Sequence, residues 1–122
     1  MNDPKTTLVL GASDNPSRYS FLAIQRLRAQ GHPVKAVGLK HSVVEDVVIE
    51  TQTLPFEGVD TVTLYLSPQH QPQYYDYILS LSPRRIIFNP GAENPALKAL
   101  ADQKGIETLE ACTLVMLSTA QY

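Results

Sequence analysis

The sequence predicts an α/β fold: a Rossmann-like, doubly wound three-layer sandwich around a mainly parallel five-stranded sheet. Three observations predict it. Short β-branched runs alternate with longer segments whose apolar residues recur at helical spacing, the order expected of βα units. The first run, Leu8-Val9-Leu10, is apolar on both faces, as a central parallel strand covered by helices on each side should be. Several strand ends then close on small or turn-forming residues, Gly11-Ala12-Ser13 and Asn89-Pro90-Gly91 among them.

Thr7–Gly11 is the first expected strand. Tyr19–Gln30 reads as a helix with Phe21, Ile24 and Leu27 on one face, stopped by Gly31. His32-Pro33 turns the chain into the second strand, Val34–Leu39. The stretch His41–Gly58 is the least regular; Val47-Val48-Ile49 reads as a short edge strand, and Pro55 and Gly58 break anything longer. Thr61–Leu66 is a strand closed by Ser67-Pro68. A helix follows over Gln69–Leu81, with Pro72 tolerated in its first turn. Arg85–Phe88 is a strand, Glu93–Lys104 a helix stopped by Gly105, Ile106–Leu109 the last strand, and Thr113–Leu117 the start of a closing helix.

Size and charge narrow the class. The 122 residues make one domain, 1–122, with no repeat and no linker. Ten Lys and Arg against 12 Asp and Glu give a net charge of -2, and the cations are scattered. Nucleic-acid binding depends on clustered cations, so nucleic acid is not expected as a partner. No apolar run approaches the about 18 residues of a membrane span, and Met1-Asn2-Asp3-Pro4-Lys5 lacks the basic-then-apolar order of a signal peptide. The single cysteine excludes an internal disulfide and fits a reducing compartment. A cytoplasmic protein is expected, with no membrane partner.

The loop Gly11-Ala12-Ser13-Asp14-Asn15-Pro16-Ser17-Arg18 carries the functional signal. A strand that ends in small residues and leads into a helix lets backbone N–H groups approach a phosphate, helped by the positive end of the helix dipole. Ser13 adds a hydroxyl donor, and Arg18 can pair bidentately with a pyrophosphate. A dinucleotide fingerprint would need further glycines and, about 20 residues on, an acid for the ribose. Here Gly11 stands alone, and the second strand ends in Gly38-Leu39-Lys40. Both features disfavour NAD. A lysine at that place favours a ligand with an additional phosphate near its ribose, and both NADP and coenzyme A qualify. In an open α/β sheet, ligands sit beyond the carboxyl ends of the strands. Gly11-Ala12-Ser13, Lys40, Ser67-Pro68 and Asn89-Pro90-Gly91 are therefore expected to converge.

Together, the Gly-Ala-Ser-x-Asn-Pro-x-Arg loop at Gly11–Arg18, Ser67-Pro68 after a strand and the Asn89-Pro90-Gly91-Ala92 turn resemble the small single-domain CoA-binding proteins. These are similar to the amino-terminal CoA-binding domain of the succinyl-CoA synthetase alpha subunit. The resemblance covers nearly the whole chain. It implies that coenzyme A, or an acyl-CoA, is the ligand. Gly11, Ala12, Ser13 and Arg18 would then lie at the pyrophosphate, Lys40 near the adenosine phosphate, and Ser67 and Pro68 beside the adenine or pantetheine. Asn89 and Gly91 complete the expected cofactor-binding set. Gly38-Leu39 departs from the Asn-Pro that relatives carry before the lysine, and Ala111 stands where they carry an arginine.

Catalytic constellations are absent from the pattern. His32, His41 and His70 fall in different connections, and no spacing suits a metal. Glu93 sits where a helix start favours acids, and Tyr74, Tyr75 and Tyr77 read as half-buried packing residues or an interface. Cys112, at a strand-to-helix junction, is a small buried residue on ordinary grounds. The expectation is a non-catalytic module that binds a small nucleotide ligand, with a homo-oligomer or a partner subunit as its protein context. The alternatives are a small NADP-dependent oxidoreductase, or a thiol chemistry on CoA centred on Cys112.

Overall fold

The computed structural model describes residues 3–122; Met1 and Asn2, which open the terminal stretch read above, lie outside them. Its strands are β1 (Thr7–Ala12), β2 (Val34–Gly38), β3 (Ser42–Val44), β4 (Val47–Glu50), β5 (Thr61–Leu64), β6 (Arg85–Phe88) and β7 (Glu107–Glu110). The helices are α1 (Tyr19–Ala29), α2 (Tyr75–Ser80), α3 (Pro95–Gln103) and α4 (Thr113–Ser118). They form one seven-stranded sheet of order β3-β4-β2-β1-β5-β6-β7, parallel everywhere except for β3 against β4. The expected five parallel strands are present; the sheet of five is corrected to seven by the hairpin β3–β4.

The central strands are buried on both faces, and alternation decides which core each side chain enters. Leu8 and Leu10 point to the face covered by α2 and α3, where they meet Leu64, Ile78, Ile86 and Leu97. Val9 points the other way, into a cluster with Ile24 and Leu27 of α1 and Met116 and Leu117 of α4. Three layers result, with the sheet in the middle.

The hairpin turns at Glu45-Asp46, with Glu45 at φ 55°. Helix α1 grips that turn: Gln25 Nε2 donates to Glu45 Oε1 at 3.0 Å, and the Arg28 guanidinium pairs in bidentate fashion with the Asp46 carboxylate at 2.8 and 2.9 Å.

The expected helix over Gln69–Leu81 is broken into three pieces, two 3-10 turns at Pro68–His70 and Pro72–Tyr74 and then the short α2. Each proline begins a turn, because it fixes φ and has no N–H to donate backwards. The helix expected at Glu93 starts instead at Pro95. Asn94 is its N-cap, accepting from the N–H groups of Ala96 and Leu97, and Pro95 occupies the first helical position. Glu93 lies ahead of the helix and accepts from the Gly91 N–H at 2.9 Å.

At the amino ends of the strands the packing is aromatic and polar. His32 is buried, its Nδ1 accepting from the Lys5 N–H, and its ring stands edge-on to Tyr122 at 4.9 Å. Tyr122 hydrogen bonds Thr7 through its hydroxyl, and the Arg85 guanidinium lies 4.3 Å from the centre of its ring.

Candidate functional site

The carboxyl ends of β1, β2, β5 and β6 frame a cleft of about 510 Å3, within the ordinary range for a small-molecule site. It lies where the chain, having added β2 to one side of β1, crosses to lay β5 on the other. Two close backbone approaches shape its floor. A bulge in β1 between Leu10 and Ala12 sets Gly11 at φ 93°, and a Cβ there would come within 2.8 Å of the Tyr65 carbonyl oxygen. At the end of β2, a Cβ on Gly38 would come within 2.2 Å of the Ala12 carbonyl oxygen. One glycine at each strand end thus brings β1, β2 and β5 together at the mouth.

The loop after β1 is fastened to itself. Ser13 Oγ accepts from the Asn15 N–H at 3.0 Å. The Asn15 carboxamide oxygen accepts from the Ser17 N–H and hydroxyl at 3.0 and 2.8 Å. The Arg18 N–H returns to the Asn15 carbonyl at 3.0 Å, and the Arg18 carbonyl accepts from the Leu22 N–H at 3.4 Å, which makes Arg18 the N-cap position of α1. Ser13 accepts, so its own O–H remains available to donate outward. The exposed Arg18 guanidinium has neither a hydrogen bond nor an ion pair among the described residues.

Lys40 is engaged. Its Nζ lies 3.2 Å from Asp14 Oδ2, and Ser42 Oγ donates to that same oxygen at 2.8 Å. The Ser42 hydrogen bond and then the Lys40 ammonium hold the Asp14 carboxyl below its usual range, so it is a carboxylate. Asp14, Arg18 and Lys40 are the charged residues that line the cleft.

Most expected site residues meet here: Gly11, Ala12, Ser13, Arg18, Lys40, Ser67, Asn89 and Gly91 all border the cleft. Pro68 does not; it begins the 3-10 turn behind Ser67. Asn89 borders it as a brace. Its Nδ2 donates to Thr63 Oγ1 and to the Leu64 carbonyl at 2.7 and 2.9 Å, and its Oδ1 accepts from the Thr113 N–H at 2.9 Å. Both Nδ2 hydrogens are spent and Oδ1 holds the Thr113 N–H, so this side chain has no donor left for a ligand.

Cys112 is half-buried and lies outside the cleft lining. The lining includes residues outside the expected cofactor-binding set: Asp14 within the loop, Tyr65, and Tyr74, expected to pack or form an interface. Asp14 and Tyr65 flank motif residues, and that adjacency is the signal that could have found them. The Tyr65 hydroxyl is buried with no hydrogen-bond partner among the described residues, and burial, with Cys112 nearby, pushes its pKa above the usual tyrosine range. The other two tyrosines of that segment pack: the Tyr77 hydroxyl donates to the Leu54 carbonyl, and the Tyr75 hydroxyl accepts from Asn94.

A second recess, about 420 Å3, lies at the amino ends of the strands between Lys5, Asp60, Arg84, Arg85 and Glu107. Three cations and two carboxylates line it, with Arg84 Nη1 4.0 Å from Asp60 Oδ2. Among the described residues, no cluster of His, Cys, Asp and Glu could hold a metal ion, and no helix is long and apolar enough to cross a membrane.

Comparison with known proteins agrees with this fold. A crystal structure of an uncharacterized protein is 48% identical, with a TM-score of 0.96 over 99% of this chain and 100% of its own. A protein from Thermus thermophilus, 24% identical, superposes with a TM-score of 0.86 over 98% of this chain and 91% of its own. A hypothetical protein from Pyrococcus horikoshii OT3, 19% identical, gives 0.86 over 95% and 83%. These last two share the fold. No curated protein matches. The sequence pattern of the CoA binding domain matches residues 5–118, nearly the whole chain, and the chain therefore belongs to the CoA binding domain family.

Proposed function

We propose that the chain is a CoA-holding module that grips the ligand through its first strand–loop–helix turn and does not itself transform it. The observation that carries the reading is the loop Gly11–Arg18: a self-fastened turn at a helix start, with an unpaired guanidinium at its end and a bulged glycine at its base. Backbone N–H groups near Gly11–Ser13, the Ser13 hydroxyl and Arg18 would take the pyrophosphate. Lys40 would take the phosphate on the adenosine ribose. Ser67 and the Asn89–Gly91 turn would border the rest.

The lining offers little for chemistry. It contains no histidine and no cysteine, and its one carboxylate is tied to Lys40 and Ser42. Thiol chemistry at Cys112 has no support from the cleft, which that residue does not line. A carrier, a sensor or a subunit that acts with another protein fits best, with CoA or an acyl-CoA as ligand.

Calorimetric titration with CoA, NADP and NAD tests the reading. CoA is expected to bind, NAD not. Binding of NADP in preference to CoA would overturn the assignment.

A further inference from the structure

We infer that Asp14 sets the phosphate specificity of the cleft, by holding Lys40 in an ion pair that a ligand's ribose phosphate must share or displace. The inference rests on the reading of the cleft as a CoA site and concerns a residue to which that reading gives no role.

Asp14 belongs to the loop after β1, and Lys40 and Ser42 flank the turn between β2 and β3. The contact thus straps two sides of the cleft mouth together. Its members are unequally held. Three-quarters of the Lys40 side chain is exposed, 76%, whereas that of Asp14 is 34% exposed and is also fixed by Ser42. When an anion arrives, the lysine can swing and the carboxylate stays.

A ligand with a free ribose hydroxyl meets no penalty there, since a carboxylate accepts a hydrogen bond from it. A ligand with a ribose phosphate meets a fixed like charge a few ångströms from the ammonium it needs. An opposite charge within about 4–6 Å favours an ionised group and a like charge disfavours it. Specificity is a difference between affinities, and a built-in repulsion changes it as surely as a new contact does. Asp14 therefore reduces the advantage that Lys40 gives to phosphate-bearing ligands, and the cleft accepts CoA and dephospho-CoA with a narrower gap than Lys40 alone would produce.

The test compares wild type, Asp14→Asn and Lys40→Met, each titrated with CoA and with dephospho-CoA at low ionic strength, where exposed charges are least screened. Asparagine keeps an oxygen for the Ser42 hydroxyl and removes the charge. For Asp14→Asn, the ratio of CoA to dephospho-CoA affinity is expected to rise by roughly 3- to 10-fold, almost wholly through tighter CoA binding. For Lys40→Met, which leaves the Asp14 carboxylate without its cation, the ratio is expected to fall below one. An unchanged ratio in Asp14→Asn, or an equal change for both ligands, overturns the inference while leaving the CoA site intact. Failure of wild type to bind either ligand overturns the CoA reading itself, and this inference with it.

Discussion

The side chains of Gln71 and Asn94 meet in a buried amide contact, with Asn94 Nδ2 donating to Gln71 Oε1 at 2.9 Å. Gln71 is fully buried and spends its own Nε2 on the carbonyls of Leu66 and Ala92, which belong to two residues of the cleft wall. Asn94 caps α3 and also donates to the Tyr75 hydroxyl. The loops after β5 and β6 are thus locked to one another by two amides. Asn94→Ala removes the cap and leaves the Gln71 oxygen unpaired. A loss of about 2–4 kcal/mol is expected, read as a lower urea midpoint with the slope of the transition unchanged.

Arg18 presents the opposite situation, a cation with no partner to lose. Arg18→Ala is expected to leave the melting temperature of the free protein unchanged, since exposed substitutions away from special features rarely matter. It should weaken CoA binding by about 1.5–3 kcal/mol, the usual worth of a hydrogen bond to a charged group. Calorimetry and thermal melting on the same preparation separate the two effects. An unaltered affinity removes Arg18 from the site.

Gly38 is held to its identity by backbone rather than by side chains. A Cβ at that position meets the Ala12 carbonyl oxygen at 2.2 Å, and no rotamer change can relieve it. Gly38→Ala is expected to cost about 1–3 kcal/mol, typical of overpacking, and to part the ends of β1 and β2. CoA affinity should fall together with stability. A variant of native stability and native affinity would show that the two strands separate freely there.

His32 gives the protein an acid-side weakness. Burial first, and then the nearby Lys5 and Arg85 charges, hold its pKa below the ordinary value. The unfolded chain therefore binds the proton at a higher pH than the folded one does. Stability is fully present above the ordinary histidine pKa of about 6.5 and declines as pH falls from there towards the folded value. Asp14 and Asp46 are also depressed, by hydrogen bonds and partner cations, but their contribution is lost only in the carboxylate range, at lower pH. Urea denaturation at pH 7, 6 and 5 should show a fall over this span that His32→Gln abolishes. A slope that survives in His32→Gln places its origin elsewhere.

Strand ends and apolar runs made the five parallel strands readable from sequence, and with them the convergence of Gly11, Lys40, Ser67 and Asn89. Strand β3 was hidden for a physical reason. Its turn, Glu45-Asp46, carries none of the asparagine or glycine that marks a tight hairpin, because α1 holds it from outside through Gln25 and Arg28. Local signals report local causes, and this turn has a tertiary one. Gln71 was hidden likewise: a glutamine is ordinarily a surface residue, and only the folded chain reveals the two carbonyls and the Asn94 amide that satisfy it. The start of α3 at Asn94-Pro95 is marked in the sequence by a capping residue followed by proline, and the acid at Glu93 draws the expectation two residues too early. Asn89 was found as a site residue, but its role as a brace depends on Thr113, which lies 24 residues away in sequence.

The hydrogen bonds among Ser13, Asn15, Ser17 and Arg18 have a kinetic consequence. The backbone of the loop has already given up conformational freedom during folding, so on the proposed function an anion bound there has little chain to immobilise. Only side chains such as Lys40 then have to move, and differences among ligands fall mainly on how long each one stays.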